Sequence, residues 1–155
     1  MSLLSNEVEV LRRSPLFQGI EPARLKLIAF TSETALFAPG DVLFRQGEMG
    51  DSAYVILSGE VAVLAQSPVG EIELARLGEQ EIVGEIGILC DVPRTATVRA
   101  CGEVKTLRIG KECLSEMLDA FPTMAQAMLR ELAFRLSHTS SELVQLRTEA
   151  AGEKH

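Results

Sequence analysis

Along the chain, the spacing of apolar positions changes twice. Between Asn6 and Arg13, Val8, Val10 and Leu11 sit at the spacing of a short amphipathic helix that Pro15 closes. Pro22 suits the first turn of a second helix, and Ala23, Leu25, Leu27, Ile28 and Phe30 make that helix read as largely buried. From Glu33 the period drops to two and glycines punctuate it. Strands are predicted over Thr34 to Phe37, Val42 to Arg45, Ala53 to Leu57, Val61 to Ala65, Ile72 to Leu77, Thr95 to Ala100 and Val104 to Ile109. The turns between them fall at Pro39-Gly40-Asp41, Gly47 to Gly50, Ser58-Gly59, Ser67 to Gly70, Gly78 and Gly102. Short strands at this spacing predict an antiparallel sandwich or jelly roll. Helical spacing returns at Lys111, where Cys113, Leu114, Met117 and Leu118 share a face. Phe121-Pro122 breaks that helix and starts a longer one, from Thr123 to about Thr148.

The expected fold class is therefore α+β, mainly β. It is an antiparallel jelly-roll barrel over about 33–110, flanked by N-terminal helices and a long C-terminal helix, with the C-terminal helices over about 111–148. No internal repeat or second domain interrupts the pattern, so residues 1–155 read as a single domain.

The last helix has a pattern of its own. Leu129, Leu132, Leu136, Thr139, Leu143 and Leu146 are spaced three and four apart in alternation, a heptad seam with one polar member. Such a seam predicts a parallel homodimer. The competing reading is a helix packed back on its own domain with Thr139 exposed. Met124, Met128 and Ala133 lie on other faces and are expected to dock the helix on the barrel.

Composition narrows the function classes. Hydrophobic residues make up 46% of the 155, enough for a packed core. No apolar run approaches the roughly 18 residues of a bilayer span, and no signal peptide is visible. The reading is a soluble, cytoplasmic chain without membrane insertion. The net charge of −7, from 15 basic and 22 acidic residues, argues against nucleic acid as a direct partner. A small anion is still compatible, because one sheltered arginine outweighs a distant negative surface. Cys90, Cys101 and Cys113 are odd in number and lack metal-site spacing, so they read as free buried thiols. His138 has no carboxylate or cysteine spaced to share a metal. With no nucleophile–base pair, paired carboxylates or metal cluster in view, neither catalysis nor a metal cofactor is expected.

The chemistry concentrates between Gly84 and Ala100, in GEIGILCDVPRTATVRA. Gly84 lets the backbone approach a ligand. Glu85 opens a segment, Ile86 to Leu89, long enough for one helical turn, whose first N–H groups lack helical acceptors. Pro93 stiffens the exit, Arg94 offers a planar fork of donors, and Thr95 adds a hydroxyl ahead of the strand that begins Ala96, Thr97, Val98. A carboxylate acceptor, free amides, a cation and a hydroxyl on one loop match a phosphorylated sugar bearing a free hydroxyl.

This segment resembles the phosphate-binding cassette of cyclic nucleotide-binding domains: Gly-Glu, an apolar residue, Ala or Gly, two more apolar residues, a loop, Arg, Ser/Thr/Ala, Ala, then Ser or Thr. Gly84, Glu85, Ile86, Gly87, Ile88, Leu89, Arg94, Thr95, Ala96 and Thr97 occupy those positions. The glycine turns at Pro39-Gly40-Asp41, Gly47-Glu48, Gly50-Asp51 and Ser58-Gly59-Glu60 are similar too, so the resemblance extends from Leu16-Phe17 to Leu146. Val83 departs from it, since an aromatic residue often precedes the Gly-Glu. The resemblance implies a jelly roll that binds a cyclic nucleotide and does not hydrolyse it. It implies that Glu85 accepts from the ribose 2′-hydroxyl, and that Arg94 pairs with the cyclic phosphate. The amides of Gly87 and Ile88, with Thr95, would complete the cradle.

The stretch from Phe121-Pro122 to Thr139-Ser140 is similar to the dimer helix of catabolite activator-type regulators, where a Thr-Ser pair meets adenine. Thr139 and Ser140 are thereby implied as base contacts and cAMP as the preferred ligand. cGMP stays open, because a hydroxyl can also donate to guanine and Thr95 can bond its amine. The DNA-binding domain that follows this helix in those regulators has no counterpart in the sequence. Two classes stand: a sensor that signals through its C-terminal helix to a downstream protein, and a structural dimerisation domain of the same fold without ligand. Intact Glu85 and Arg94 favour the first.

Overall fold

The computed structural model describes residues 3–134. Two helices come first, α1 (Leu3–Arg13) and α2 (Pro22–Thr31), joined through a single 3-10 turn, Pro15–Phe17. Ser14 caps that turn: its hydroxyl oxygen accepts from the Leu16 amide and its O–H donates to the Gln80 carbonyl at 2.9 Å. Eight strands follow: β1 (Glu33–Phe37), β2 (Val42–Phe44), β3 (Ser52–Ser58), β4 (Val61–Ser67), β5 (Gly70–Leu77), β6 (Ile82–Val83), β7 (Thr97–Ala100) and β8 (Val104–Gly110). The short helix α3 (Glu85–Leu89) stands between β6 and β7. Then come α4 (Lys111–Ala120) and α5, over residues 122–134.

All strand pairs are antiparallel and form two four-stranded sheets, β1-β8-β3-β6 and β2-β7-β4-β5. The α+β jelly roll with helices at both ends is thus the observed fold. The β3–β8 register, Tyr54 opposite Arg108 and Val55 opposite Leu107, ties the centre of the first sheet.

Strand β3 explains its own unbroken apolar run. Ala53, Val55 and Leu57 join one hydrophobic cluster with Leu11, Phe17, Leu25, Ile28, Leu114, Met117, Met124 and Met128 of the helical layer. Tyr54 and Ile56 point the other way, into the barrel with Leu43, Val61, Val83, Val98 and Val104. A strand covered on both faces has no polar face to show.

Several expectations are corrected. Leu25, Ile28 and Ala29 of α2 are buried, but Leu27 is 62% and Phe30 72% exposed, so this helix is one-sided. Burial on one helix face cannot accommodate residues two positions apart. Met124 and Met128 dock α5 as expected, whereas Ala133 is exposed. The thiols are free, but Cys90 and Cys101 are exposed and Cys113 half-buried. Strand β7 begins at Thr97 rather than Thr95, and the two-residue β6 went unread because it is too short to show a period. Among the described residues, no helix is long and apolar enough to cross a membrane.

Candidate functional site

The site begins where β6 ends. Ile82 and Val83 pair with Val55 and Tyr54 of β3, and Gly84 follows with φ +82°, a left-handed turn that starts α3. A Cβ there would lie 2.6 Å from Arg94 Nη1 and 3.0 Å from the Phe44 ring. Glycine is therefore required both by its dihedral and by close approach. The chain leaves α3 through Asp91, also at positive φ, and the Val92 amide donates to the Gly87 carbonyl at 3.1 Å. Asp91 is ion-paired with Lys111 at the start of α4.

The loop after β2 then fixes Arg94. Its amide donates to the Glu48 carbonyl at 2.8 Å, and its carbonyl accepts from the Gly47 amide at 2.9 Å. The side chain is 5% exposed. Its Nη1 donates to the Gly84 carbonyl and its Nη2 to the Ser52 carbonyl, both at 2.7 Å, while Nε is buried without a partner. The Phe44 ring lies against the guanidinium, 4.0 Å from Cζ to the ring centroid. Burial pushes the Arg94 pKa down, against the opposing pull of Tyr54, Asp51, Glu48 and Glu85. A guanidinium remains charged through such a shift.

Glu85, the first residue of α3, is 2% exposed. A carboxylate and a guanidinium, both more than nine-tenths buried, thus line one cleft. Its remaining walls are Phe44, Val63, Leu77, Val83, Gly84, Ile86, Gly87, Thr95, Ala96 and Val98, around a cavity of about 100 Å³. The lining combines a carboxylate, a guanidinium and a hydroxyl with mainly apolar side chains, the composition of a site in which a few polar groups orient a ligand.

Of the residues singled out from the sequence, Gly84, Glu85, Ile86, Gly87, Arg94, Thr95 and Ala96 come together in this cleft. Ile88 does not line it: its side chain, 1% exposed, belongs to the helical core, so only its backbone faces the question of ligand contact. Thr97 is committed elsewhere, its hydroxyl oxygen accepting from the Gln46 amide at 2.9 Å. Thr139, Ser140 and the seam residues Leu136, Leu143 and Leu146 lie outside the described residues. Sequence reasoning missed Phe44, Val63, Leu77 and Val98. Alternation marks Val63 and Val98 as one face of their strands, but which cavity that face lines depends on the packing of the sheets.

A second layer backs the cleft. Ser52, whose carbonyl receives Arg94, accepts through its hydroxyl from Arg108 Nε at 2.9 Å, and Arg108 Nη2 donates to Asp51 at 3.0 Å. These bonds hold the Asp51 carboxyl below, and the Arg108 guanidinium above, their ordinary values. Among the described residues no cluster of histidine, cysteine or carboxylate side chains is placed to hold a metal.

Comparison with known proteins agrees with this geometry. Residues 35–121 match the family model described as "Cyclic nucleotide-binding domain". A CRP-like cAMP-activated global transcriptional regulator of Mycobacterium tuberculosis is 32% identical over 139 residues, 89% of this chain and 62% of the regulator. The chain thus spans under two thirds of that relative's length. The crystal structure of Thermus thermophilus catabolite activator protein superposes with a TM-score of 0.76 at 30% identity, covering 86% of this chain and 63% of that one. The N-terminal domain of a transcriptional regulator from Streptomyces coelicolor A3(2) gives a TM-score of 0.66 at 38% identity, over 86% of this chain and 94% of that domain. With cleft, fold and family model in agreement, the chain belongs to the cyclic nucleotide-binding domain family, as a non-enzymatic sensor domain related to CRP-like regulators.

Proposed function

We propose that this domain binds cAMP in preference to cGMP and transmits the binding through its C-terminal helix within a homodimer. The observation that carries the ligand class is the presence in one cleft of Glu85 and Arg94, each nearly fully buried, among mainly apolar lining residues. A buried charge costs several kcal/mol unless it is compensated, so a cleft that keeps two of them is built for charge and hydroxyl recognition. In this reading Arg94 meets the cyclic phosphate, Glu85 accepts from the ribose 2′-hydroxyl, the amides at the start of α3 and the exposed Thr95 hydroxyl complete the cradle, and Val63 and Leu77 face the base.

The Mycobacterium tuberculosis relative is a cAMP-activated regulator, which supports the choice of nucleotide. Thr139 and Ser140 are the residues assigned to the base, and a gap of about 1–2 kcal/mol between the nucleotides is expected, the scale of one or two net hydrogen bonds. For the dimer, support comes from Leu129 on α5, which is 67% exposed while Met124 and Met128 of the same helix are buried in the domain. Residues 1–155 act in this reading as one domain whose downstream partner is a protein.

Calorimetric titration with cAMP and cGMP tests the assignment, on the parent chain and on a Thr139→Ala, Ser140→Ala double variant. Tighter cAMP binding that the double variant loses is the expected result. Tighter cGMP binding places selectivity at Thr95, and absence of any binding leaves a structural dimerisation domain.

A further inference from the structure

We infer that Phe44 is a positioning residue for Arg94, and that anion affinity at this site depends on its aromatic face. The inference rests on the proposed nucleotide reading for its ligand, and on the following geometry for everything else. Arg94 is seated in a mould. Its two terminal nitrogens are held by the carbonyls of Gly84 and Ser52, on the two sides of the loop junction. On one surface, the guanidinium is so close to the backbone of Gly50 that a Cβ there would fall 2.2 Å from Cζ. The Phe44 ring centroid lies 4.0 Å from Cζ. The Phe44 ring is in turn stacked with Tyr54, centroids 6.1 Å apart and planes inclined by 27°, and Tyr54 meets Phe37 edge-on at 6.0 Å.

Three rings from β1, β2 and β3 thus back one cation. Burial disfavours the charged guanidinium, and Nε receives no hydrogen bond acceptor to offset it. The negative face of an aromatic ring supplies an attraction that needs no lone pair and works best in a desolvated place. Leucine would fill similar space at position 44 without that quadrupole, and would leave the guanidinium free to leave its seat. A guanidinium already fixed in orientation loses less entropy when it grips an anion.

The test combines cAMP titration with the NMR signal of the Arg94 Nε–H in the ligand-free protein. Phe44→Leu is expected to weaken cAMP binding by about threefold to tenfold, the scale of a partly desolvated cation–π contact, and to move the Nε–H resonance out of the ring current and speed its exchange. Phe44→Tyr, which keeps the π face, is expected to restore both. Gly50→Ala, whose Cβ would overlap the guanidinium, is expected to displace it and lower affinity while the domain melts cooperatively. Unchanged affinity in Phe44→Leu overturns the inference, and so does weakened affinity with an unmoved Nε–H signal, which would make Phe44 only a wall of the cleft. A parent chain that binds neither cAMP nor cGMP overturns the nucleotide reading itself, an outcome separable from the first two because it appears before any substitution is made.

Discussion

Arg94 is where stability and the proposed function meet in one side chain. Arg94→Ala removes the only cation lining the cleft among the described residues and leaves the Gly84 and Ser52 carbonyls without these donors. Charge-assisted bonds contribute roughly 1.5–3 kcal/mol each, so cAMP affinity should fall at least tenfold by calorimetry. The same variant should lose about 1–3 kcal/mol of stability in denaturant melts, the cost of stranded buried acceptors, while retaining the fold. Asp51 shows a weaker linkage of the same kind. Its carboxyl, ordinarily near 3.8, is held lower in the folded protein by Arg108 and Ser52. Between that value and the lower folded one, the unfolded chain binds more protons, so folding stability falls as pH falls. The contribution is present above about pH 4 and lost below it. With an exposed carboxylate it stays below about 1 kcal/mol. Urea titrations at pH 6 and pH 3 should show the parent's advantage over Asp51→Asn shrinking at the lower pH; an advantage that grows would contradict the pairing with Arg108.

At the scale of elements, the turns decide which strands meet. Gly59 closes the β3–β4 connection at φ +93°, and a Cβ there would lie 2.4 Å from the Glu103 carbonyl oxygen and 3.0 Å from Val104 Cα. Both obstacles are backbone, so nothing flexible can move aside. Gly59→Ala should destabilise by about 2 kcal/mol or more, through dihedral strain plus the clash, and thermal unfolding measures it directly. Glycine at this turn was legible in the sequence as punctuation. The reason for it was not, because the obstacle comes from the β7–β8 turn, far along the chain. The same holds for α2: its apolar residues announced a helix, yet Leu27 and Phe30 face outward because only one side of the helix meets the hydrophobic core it shares with α1 and α4.

For the whole molecule, the helical layer packs on one face of β3 and the barrel interior on the other, so a single strand borders both. Its residues alternate between the helices, through Ala53 and Val55, and the barrel interior, through Tyr54 behind Phe44 and Arg94. The Asp91–Lys111 ion pair is a second link, from the loop after α3 to the first residue of α4. The proposed dimer is tested at this scale. Leu129→Glu should convert a dimeric parent into a monomer by sedimentation velocity without abolishing nucleotide binding, since Leu129 does not line the cleft. A monomeric parent at high micromolar concentration with cAMP present would instead make the seam an intramolecular surface.

The sequence by itself determined the order of elements other than β6, the jelly-roll class and the cassette, since each rests on local information. Period-two runs, glycine at left-handed positions and proline at helix starts act within a few residues, and Gly84, Glu85 and Arg94 stand on one short loop whose residue types declare their chemistry. Only the tertiary structure decided what those residues touch. Arg94 is seated by Ser52 and Phe44, some 42 and 50 positions away, and the apolar wall comes from Val63 and Leu77 on the second sheet. Such pairings are settled by which faces two sheets and a helical layer can bury together, a collective outcome of packing that no window of the sequence contains.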